Sequence, residues 1–247
     1  MELCNPMRPL IWLGGLFALL MGSGSAQAGP TMLFDMDTGK VLYAEDRDDL
    51  WHPASLTKLM TAYLTFEALK DGKLHLDTKI ACSAHSREQP PSKIGMPVNG
   101  RLSIDLALKS LLVKSANDVA VMLAEAVSGS EPAFVGKMNA TAVRLGMTRT
   151  HFANANGLPA DDQISTARDL AKLARAVVRD YPQHAHYWAM SELRIGKKRL
   201  HSFNGLLRTY AGADGLKTGF TCDSGYNVVV SAARNGQRLA TVVLGAR

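Results

Sequence analysis

A serine followed three residues later by a lysine, Ser55 and Lys58 in HPASLTKLMT, joins the two groups that an amine-assisted nucleophile needs. A serine hydroxyl is a poor nucleophile near neutral pH unless a neighbour takes its proton. On a helix, side chains three apart share a face with Cβ atoms about 5–6 Å from each other, so the amine reaches the hydroxyl. A lysine ordinarily holds its proton to about pH 10.4, and it acts as a base only where burial or another cation lowers that value. A second cation is available in GLKTGFT, where Lys217, Thr218 and Gly219 join an ammonium, a hydroxyl and a position without a side chain. An extended substrate can lie against such a strand with its carboxylate near the lysine and threonine. A third polar element, Ser115 and Asn117 in LLVKSANDVA, interrupts two apolar helical stretches. Such a break either caps a helix or faces a site, and Asp118 reads as the cap. These residue types predict attack by Ser55 on a carbonyl, with two amines crowding that one alcohol. The free backbone N–H groups at the start of the Ser55 helix suit the negative charge that develops. Ser202-Phe203-Asn204 repeats the Ser-x-Asn spacing, so the order and separation of the three segments carry the assignment, not any one of them.

The elements that must bring these segments together are legible from periodicity and turn chemistry. TMLFD and KVLYAE flank MDTG near the start, and YNVVVSAA and QRLATVVLGA flank Arg234-Asn235-Gly236 near the end, which predicts a hairpin at each end of the chain. Between them the apolar spacing predicts helices over 54–70, 103–113, 118–127, 131–145 and 166–179. Leu56, Leu59, Met60, Tyr63 and Leu64 line one side of the first, Ser130 caps the fourth, and Thr166 with Asp169 opens the fifth. Hairpins at both ends enclosing a helix-rich middle predict one antiparallel sheet built from both chain ends with helices packed on it. EQPPSKIGMPVNGR reads as an irregular surface segment within one unit and not as a linker.

The chain of 247 residues, 47% hydrophobic and 20% charged, has the composition of a folded globular protein. Its first 28 residues have another character. Arg8 precedes the uncharged run IWLGGLFALLMG, and Ala26-Gln27-Ala28 ends it, the pattern of a secretory signal peptide cleaved after Ala28. The apolar run is shorter than the ~20 residues that span a bilayer. Cleavage removes Glu2 and Arg8 together, so the net charge of +6 is unchanged in the mature chain. Export makes nucleic acid an unlikely partner, and the basic cluster Arg194, Lys197, Lys198 and Arg199 has no interleaved aromatics. Cys82 and Cys222 would reach an oxidising compartment, where they could pair. There is no metal-ligand spacing of cysteines, and His184 and His186 read as surface residues.

Ser-x-x-Lys, Ser-x-Asn and Lys-Thr-Gly in that order resemble the penicillin-binding serine enzymes. More closely, PASLTKLMT, LLVKSANDVA, HFANANGLPADDQISTARDLAKLA and GLKTGFTCDSGYN are similar to the low-molecular-weight D-alanyl-D-alanine carboxypeptidase family, from about residue 29 to the end. The resemblance implies an α/β (α+β) fold of the β-lactamase/DD-peptidase kind over 29–247, with a helix-rich lobe at roughly 70–150. It implies a periplasmic or wall-associated enzyme acting on peptidoglycan stem peptides, acylated by β-lactam antibiotics and using no metal or organic cofactor. Carried over by position, Ser55 would attack the penultimate D-alanine carbonyl and Lys58 would be the general base. Ser115 would relay the proton to the leaving D-alanine, and Lys217 would keep that network electropositive. Asn117 would bond the substrate backbone, Thr218 the terminal carboxylate, and Gly219 would let the strand approach. The N–H groups of Ser55 and Phe220 would form the oxyanion hole. Phe220 departs from the His or Tyr common at that position. No C-terminal β-domain or amphipathic tail precedes Arg247, so membrane attachment by that route is not expected. A D,D-endopeptidase acting on cross-links would use the same residues. A β-lactamase is disfavoured because no glutamate motif for deacylation precedes Lys-Thr-Gly, and a non-catalytic wall-binding module because all three motifs are intact.

Overall fold

The structure, a computed structural model, describes residues 29–247, so the signal-peptide reading lies outside the described residues. Strands β1 (Thr31–Asp35) and β2 (Val41–Glu45) form the N-terminal hairpin. Strands β8 (Gly225–Arg234) and β9 (Gln237–Ala246) form the C-terminal one. Asn235 and Gly236 sit at φ of 52° and 77°, the two left-handed conformations that a two-residue turn between twisted strands demands. β9 pairs with β1, and β7 (Ala213–Thr221) pairs with β8, giving one antiparallel sheet in the order β2-β1-β9-β8-β7. Both chain ends therefore build the sheet, as the terminal hairpins predict, and β7 with its Lys-Thr-Gly lies at an edge.

Alternation along the strands points Met32, Phe34, Val229, Ala240, Val242 and Leu244 into the core. The central helix α1 (Lys58–Lys70) is buried not on one side but nearly all round, including Lys58, Thr61 and Thr65. Two of these polar residues are satisfied by backbone carbonyls: Thr65 Oγ1 donates to Thr61 O one turn back, and Thr61 Oγ1 donates to Ala155 O on a distant segment. A helix-rich lobe follows, made of α2 (Ala84–Glu88), α3 (Ile104–Val113), α4 (Asn117–Ser128) and α5 (Glu131–Arg144). A short pair, β3 (Lys79–Ala81) and β4 (Arg101–Ser103), connects α1 to this lobe. Ser103, Ser130 and Thr166 are N-caps whose hydroxyls accept from Leu106 N, Ala133 N and Asp169 N. Helix α6 (Ala167–Asp180) lies against β1, β8 and β9. Beyond it come α7 (Ala185–Trp188), the hairpin β5 (Glu192–Ile195) and β6 (Lys198–His201), and α8 (Leu206–Thr209). Neither small β pair stands out in the sequence, because strands of three or four residues carry too little alternation.

One open question closes and one expectation is corrected. Cys82 is a free, fully buried thiol that accepts from Ser86 Oγ, so no disulfide joins it to Cys222. Asp118 is not a cap. The N-cap of α4 is Ala116, and the Asp118 carboxylate accepts from Ile94 N and Gly95 N at 3.2 and 2.8 Å, anchoring the segment 89–100 onto the lobe.

Candidate active site

The segment predicted as the first turn of one long helix is a 3-10 turn, Ala54–Thr57, which passes into α1 at Lys58. Three residues per turn place Ser55 and Lys58 directly above one another, and Lys58 Nζ lies 3.0 Å from Ser55 Oγ. Ala54 is held at φ 48°, a conformation rare for a residue with a Cβ. Gly157 presses on this strained residue: a Cβ there would stand 1.9 Å from Ala54 O. From the other side Gly219 comes so close that a Cβ would lie 2.9 Å from Ser55 N. Only glycine allows either approach. The nucleophile's backbone is thus clamped between Gly157 and the β7 edge, and its N–H has no acceptor among the described residues.

Lys58 is fully buried. Its Nζ donates to Asn117 Oδ1 at 2.7 Å and to the Asn156 carbonyl at 2.6 Å. Both partners are acceptors; in the neutral form of the amine they would take its two N–H groups and leave the lone pair facing Ser55 Oγ. Burial, first, and the Lys217 charge, second, hold the Lys58 amine well below the ordinary lysine range, with Asp118 acting weakly in the opposite sense. Lys217, also buried, is pushed down by burial to about 7. The two amines do not crowd one alcohol. Lys217 Nζ donates to Ser115 Oγ at 3.0 Å and to Thr218 O at 2.8 Å, while Lys58 takes Ser55.

Ser115 occupies the predicted break between α3 and α4 at φ 57°, which turns its hydroxyl out of the helical path toward Lys217. Asn117 opens α4; its Nδ2 donates one hydrogen to Pro90 O and retains a second. Thr218, Gly219 and Phe220 follow Lys217 along β7, and all line one cleft of about 470 Å³ with Ser55, Ser115 and Asn117. Ser55, Ser115, Asn117, Thr218, Gly219 and Phe220 line this cleft, and the two lysines bond to its lining from below, whereas Asp118 of the same segments does not reach it. Sequence reasoning missed Asn156, whose carbonyl holds Lys58, and the segment at Pro90–Ser92, where Ser92 Oγ bonds Lys114 O and Ser92 O accepts from Asn117 N. The polar run Asn154-Ala155-Asn156-Gly157 was the available signal for the first. A backbone carbonyl has no signature of its own for either. Ser202 and Asn204, the duplicate Ser-x-Asn, bond to each other and to Gly215 O, behind the cleft.

The arrangement is a hydroxyl beside a buried amine held well below the ordinary lysine range, a second hydroxyl on a second amine, and an open strand edge. The family model described as D-alanyl-D-alanine carboxypeptidase matches residues 21–247. D-alanyl-D-alanine carboxypeptidase DacC of Escherichia coli is 36% identical over 230 residues, covering 90% of this chain and 58% of the relative. Penicillin binding protein 5 of Haemophilus influenzae superposes with a TM-score of 0.86 at 34% identity, over 90% of this chain and 66% of that one. Penicillin-Binding Protein D2 of Listeria monocytogenes, in its cefotaxime-bound form, gives 0.80 at 33% identity over 89% and 90%. The chain spans about 58% of the length of the curated relative. With a match across nearly its whole length and the cleft in place, the chain belongs to the D-alanyl-D-alanine carboxypeptidase family.

Proposed function

We propose that this chain is a serine-type D-alanyl-D-alanine carboxypeptidase that removes the terminal D-alanine of peptidoglycan stem peptides. The observation that carries the reading is the fully buried Lys58 amine, 3.0 Å from Ser55 Oγ, with two further oxygens, Asn117 Oδ1 and the Asn156 carbonyl, accepting from it. Ser55 Oγ adds to the carbonyl of the penultimate D-alanine as its proton passes to Lys58 Nζ. The oxyanion is held by the Ser55 and Phe220 N–H groups, where loss of one donor typically costs about 3 kcal/mol of barrier. The scissile C–N bond then breaks, and Ser115 Oγ hands a proton to the departing D-alanine amine, restored through Lys217 and Lys58. Thr218 holds the terminal carboxylate, and the remaining N–H of Asn117 bonds the substrate backbone. Water then hydrolyses the acyl-serine ester.

Among the described residues no helix is long and apolar enough to cross a membrane. The leader at 1–28 supports a periplasmic or wall-associated site of action, outside the inner membrane. β-Lactams would acylate Ser55, as the cefotaxime-bound Listeria relative suggests. The test is stoichiometric labelling by fluorescent penicillin, lost in Ser55→Ala, together with D-alanine release from a peptide ending D-Ala-D-Ala. Labelling that persists in Ser55→Ala removes the nucleophile assignment. Cleavage of cross-linked dimers alone replaces the carboxypeptidase reading with an endopeptidase.

A further inference from the structure

Ser55 and Asn156 reach Lys58 from distant parts of the chain, and one buried side chain joins those parts. Gln163, 1% exposed, lies just beyond the segment 153–157 that carries the Asn156 carbonyl. Its Oε1 accepts from Ala153 N at 2.6 Å and from Asn154 N at 3.2 Å, and its Nε2 donates to Thr57 Oγ1 at 2.7 Å. Thr57 ends the 3-10 turn Ala54–Thr57, between the nucleophile and the amine beside it. Among the described residues that turn takes two side-chain hydrogen bonds, Lys58 to Ser55 and Gln163 to Thr57. A primary amide suits the task, since its oxygen accepts twice from one element while its nitrogen donates to another.

Lys58 Nζ spans the same two elements, 3.0 Å from Ser55 Oγ on the turn and 2.6 Å from the Asn156 carbonyl on the segment. If their separation grew by about 1 Å, the amine would stay with its shorter bonds, to Asn156 and Asn117, and Ser55 would pass out of hydrogen-bond range. Gly157, in the same segment, presses on the strained Ala54, so one spacing sets both the amine and the backbone before the nucleophile. We propose that Gln163 is a positioning residue for acylation: by bonding Thr57 and the Ala153 and Asn154 N–H groups at once, it fixes the spacing between the turn that bears Ser55 and the segment that bears the Asn156 carbonyl. Gln163 does not line the catalytic cleft and acts through Lys58. The inference rests on the proposed roles of Ser55 and Lys58. Asn139 provides the contrast: its amide ties the neighbouring Phe152 by two bonds of 2.8 Å, to the N–H and the carbonyl, without reaching the turn.

The test is the rate of acylation by fluorescent penicillin as its concentration is raised, with urea unfolding of each variant alongside. Gln163→Ala lowers the limiting rate about 10²-fold, the effect of a misplacement of about 1 Å, and leaves the half-saturating concentration unchanged because the cleft lining is intact. Thr57→Val lowers the limiting rate about tenfold, and the double variant loses no more than Gln163→Ala alone, since both changes break the same bond. Asn139→Ala loses stability through its two bonds yet keeps the limiting rate within about twofold of wild type. A wild-type limiting rate in Gln163→Ala, losses that multiply in the double variant, or an equal loss of rate in Asn139→Ala each overturns the proposal. If Gln163→Ala fails to fold, Thr57→Val is set against Asn139→Ala, and a wild-type limiting rate in Thr57→Val overturns it. D-Alanine release from a peptide ending D-Ala-D-Ala is followed in wild type. Its absence removes the carboxypeptidase reading, while the acylation rates still decide the role of Gln163.

Discussion

Lys109 on α3 and Lys172 on α6 each have a carboxylate one turn away, Asp105 Oδ2 at 2.7 Å and Asp169 Oδ1 at 2.9 Å, and each keeps about a third of its side chain in water. Lys58 and Lys217 are buried, and among the described residues neither has a carboxylate within ion-pair distance. The carboxylate that acts electrostatically on Lys58, Asp118, spends its oxygens on the N–H groups of Ile94 and Gly95. The surface lysines are arranged for charge, with a partner and hydration. The cleft lysines are arranged against it, because an amine deprived of both gives up its proton more readily than it remains as a buried cation. The same side chain is a hydrated, paired cation in one region and, on the proposed mechanism, the base at Lys58 in the other, and the surroundings alone make the difference.

Replacing the base tests that contrast most severely. Lys58→Arg keeps a cation that cannot be neutralised, and acylation by penicillin is expected to fall roughly 10³-fold. A Lys58→Arg enzyme labelled at the wild-type rate would show that the depressed amine is not the base. Lys217→Met comes next, with a loss of about 10²-fold and a change of pH profile. Because the Lys217 charge lowers the Lys58 value, its removal moves the acid limb of the acylation rate to higher pH. A limb that stays in place or moves down contradicts the coupling.

Backbone packing gives the next effect. Gly157→Ala puts a Cβ on Ala54 O at a φ of 81° and should cost about 3 kcal/mol in urea unfolding. Gly129→Ala at the end of α4 has the same φ of 81° with open space around it, and should cost about 1 kcal/mol. Similar losses for the two would mean that the glycine contact does not position Ser55.

Stability against pH reads the buried amines directly. Lys217 has a folded value of about 7, below the 10.5 of the free side chain. The unfolded chain therefore binds more protons in that interval, and Lys217 makes stability rise with pH between about 7 and 10.5, while below 7 its contribution is constant. Each fully titrating group adds a slope of about 1.4 kcal/mol per pH unit in its window. Urea midpoints at pH 7 and 9.5 should diverge less in Lys217→Met than in wild type. The smallest effect is at the surface, where Lys109→Ala should cost under about 1 kcal/mol. A larger loss there would blur the distinction between the two kinds of lysine.

Much of the fold is legible in short stretches of sequence. Asn235-Gly236 specifies its turn through two left-handed residues, and Ser103, Ser130 and Thr166 announce their helices through cap hydroxyls, because these interactions close within four residues. The buried circumference of α1 is not legible that way, since Thr61 and Thr65 read as a polar side until the helices around them are in place. Asp118 was misread for a related reason: its partners, Ile94 and Gly95, lie 24 and 23 residues away.

The sequence by itself determined which groups are present and in what order: a serine with a lysine at helical spacing, a polar break between apolar helices, a lysine and glycine on a strand, and turns that bring both ends into one sheet. Tertiary structure decided what those groups are able to do. It supplied the Asn156 carbonyl and Asn117 amide oxygen that accept from Lys58, assigned Lys217 to Ser115 in place of Ser55, and set Phe220 against Tyr226 with their rings tilted. The physical reason is range. Turn and cap energies depend on neighbours along the chain, whereas desolvation and charge–charge coupling depend on whatever the fold packs around an atom, here segments 59 to 102 residues away.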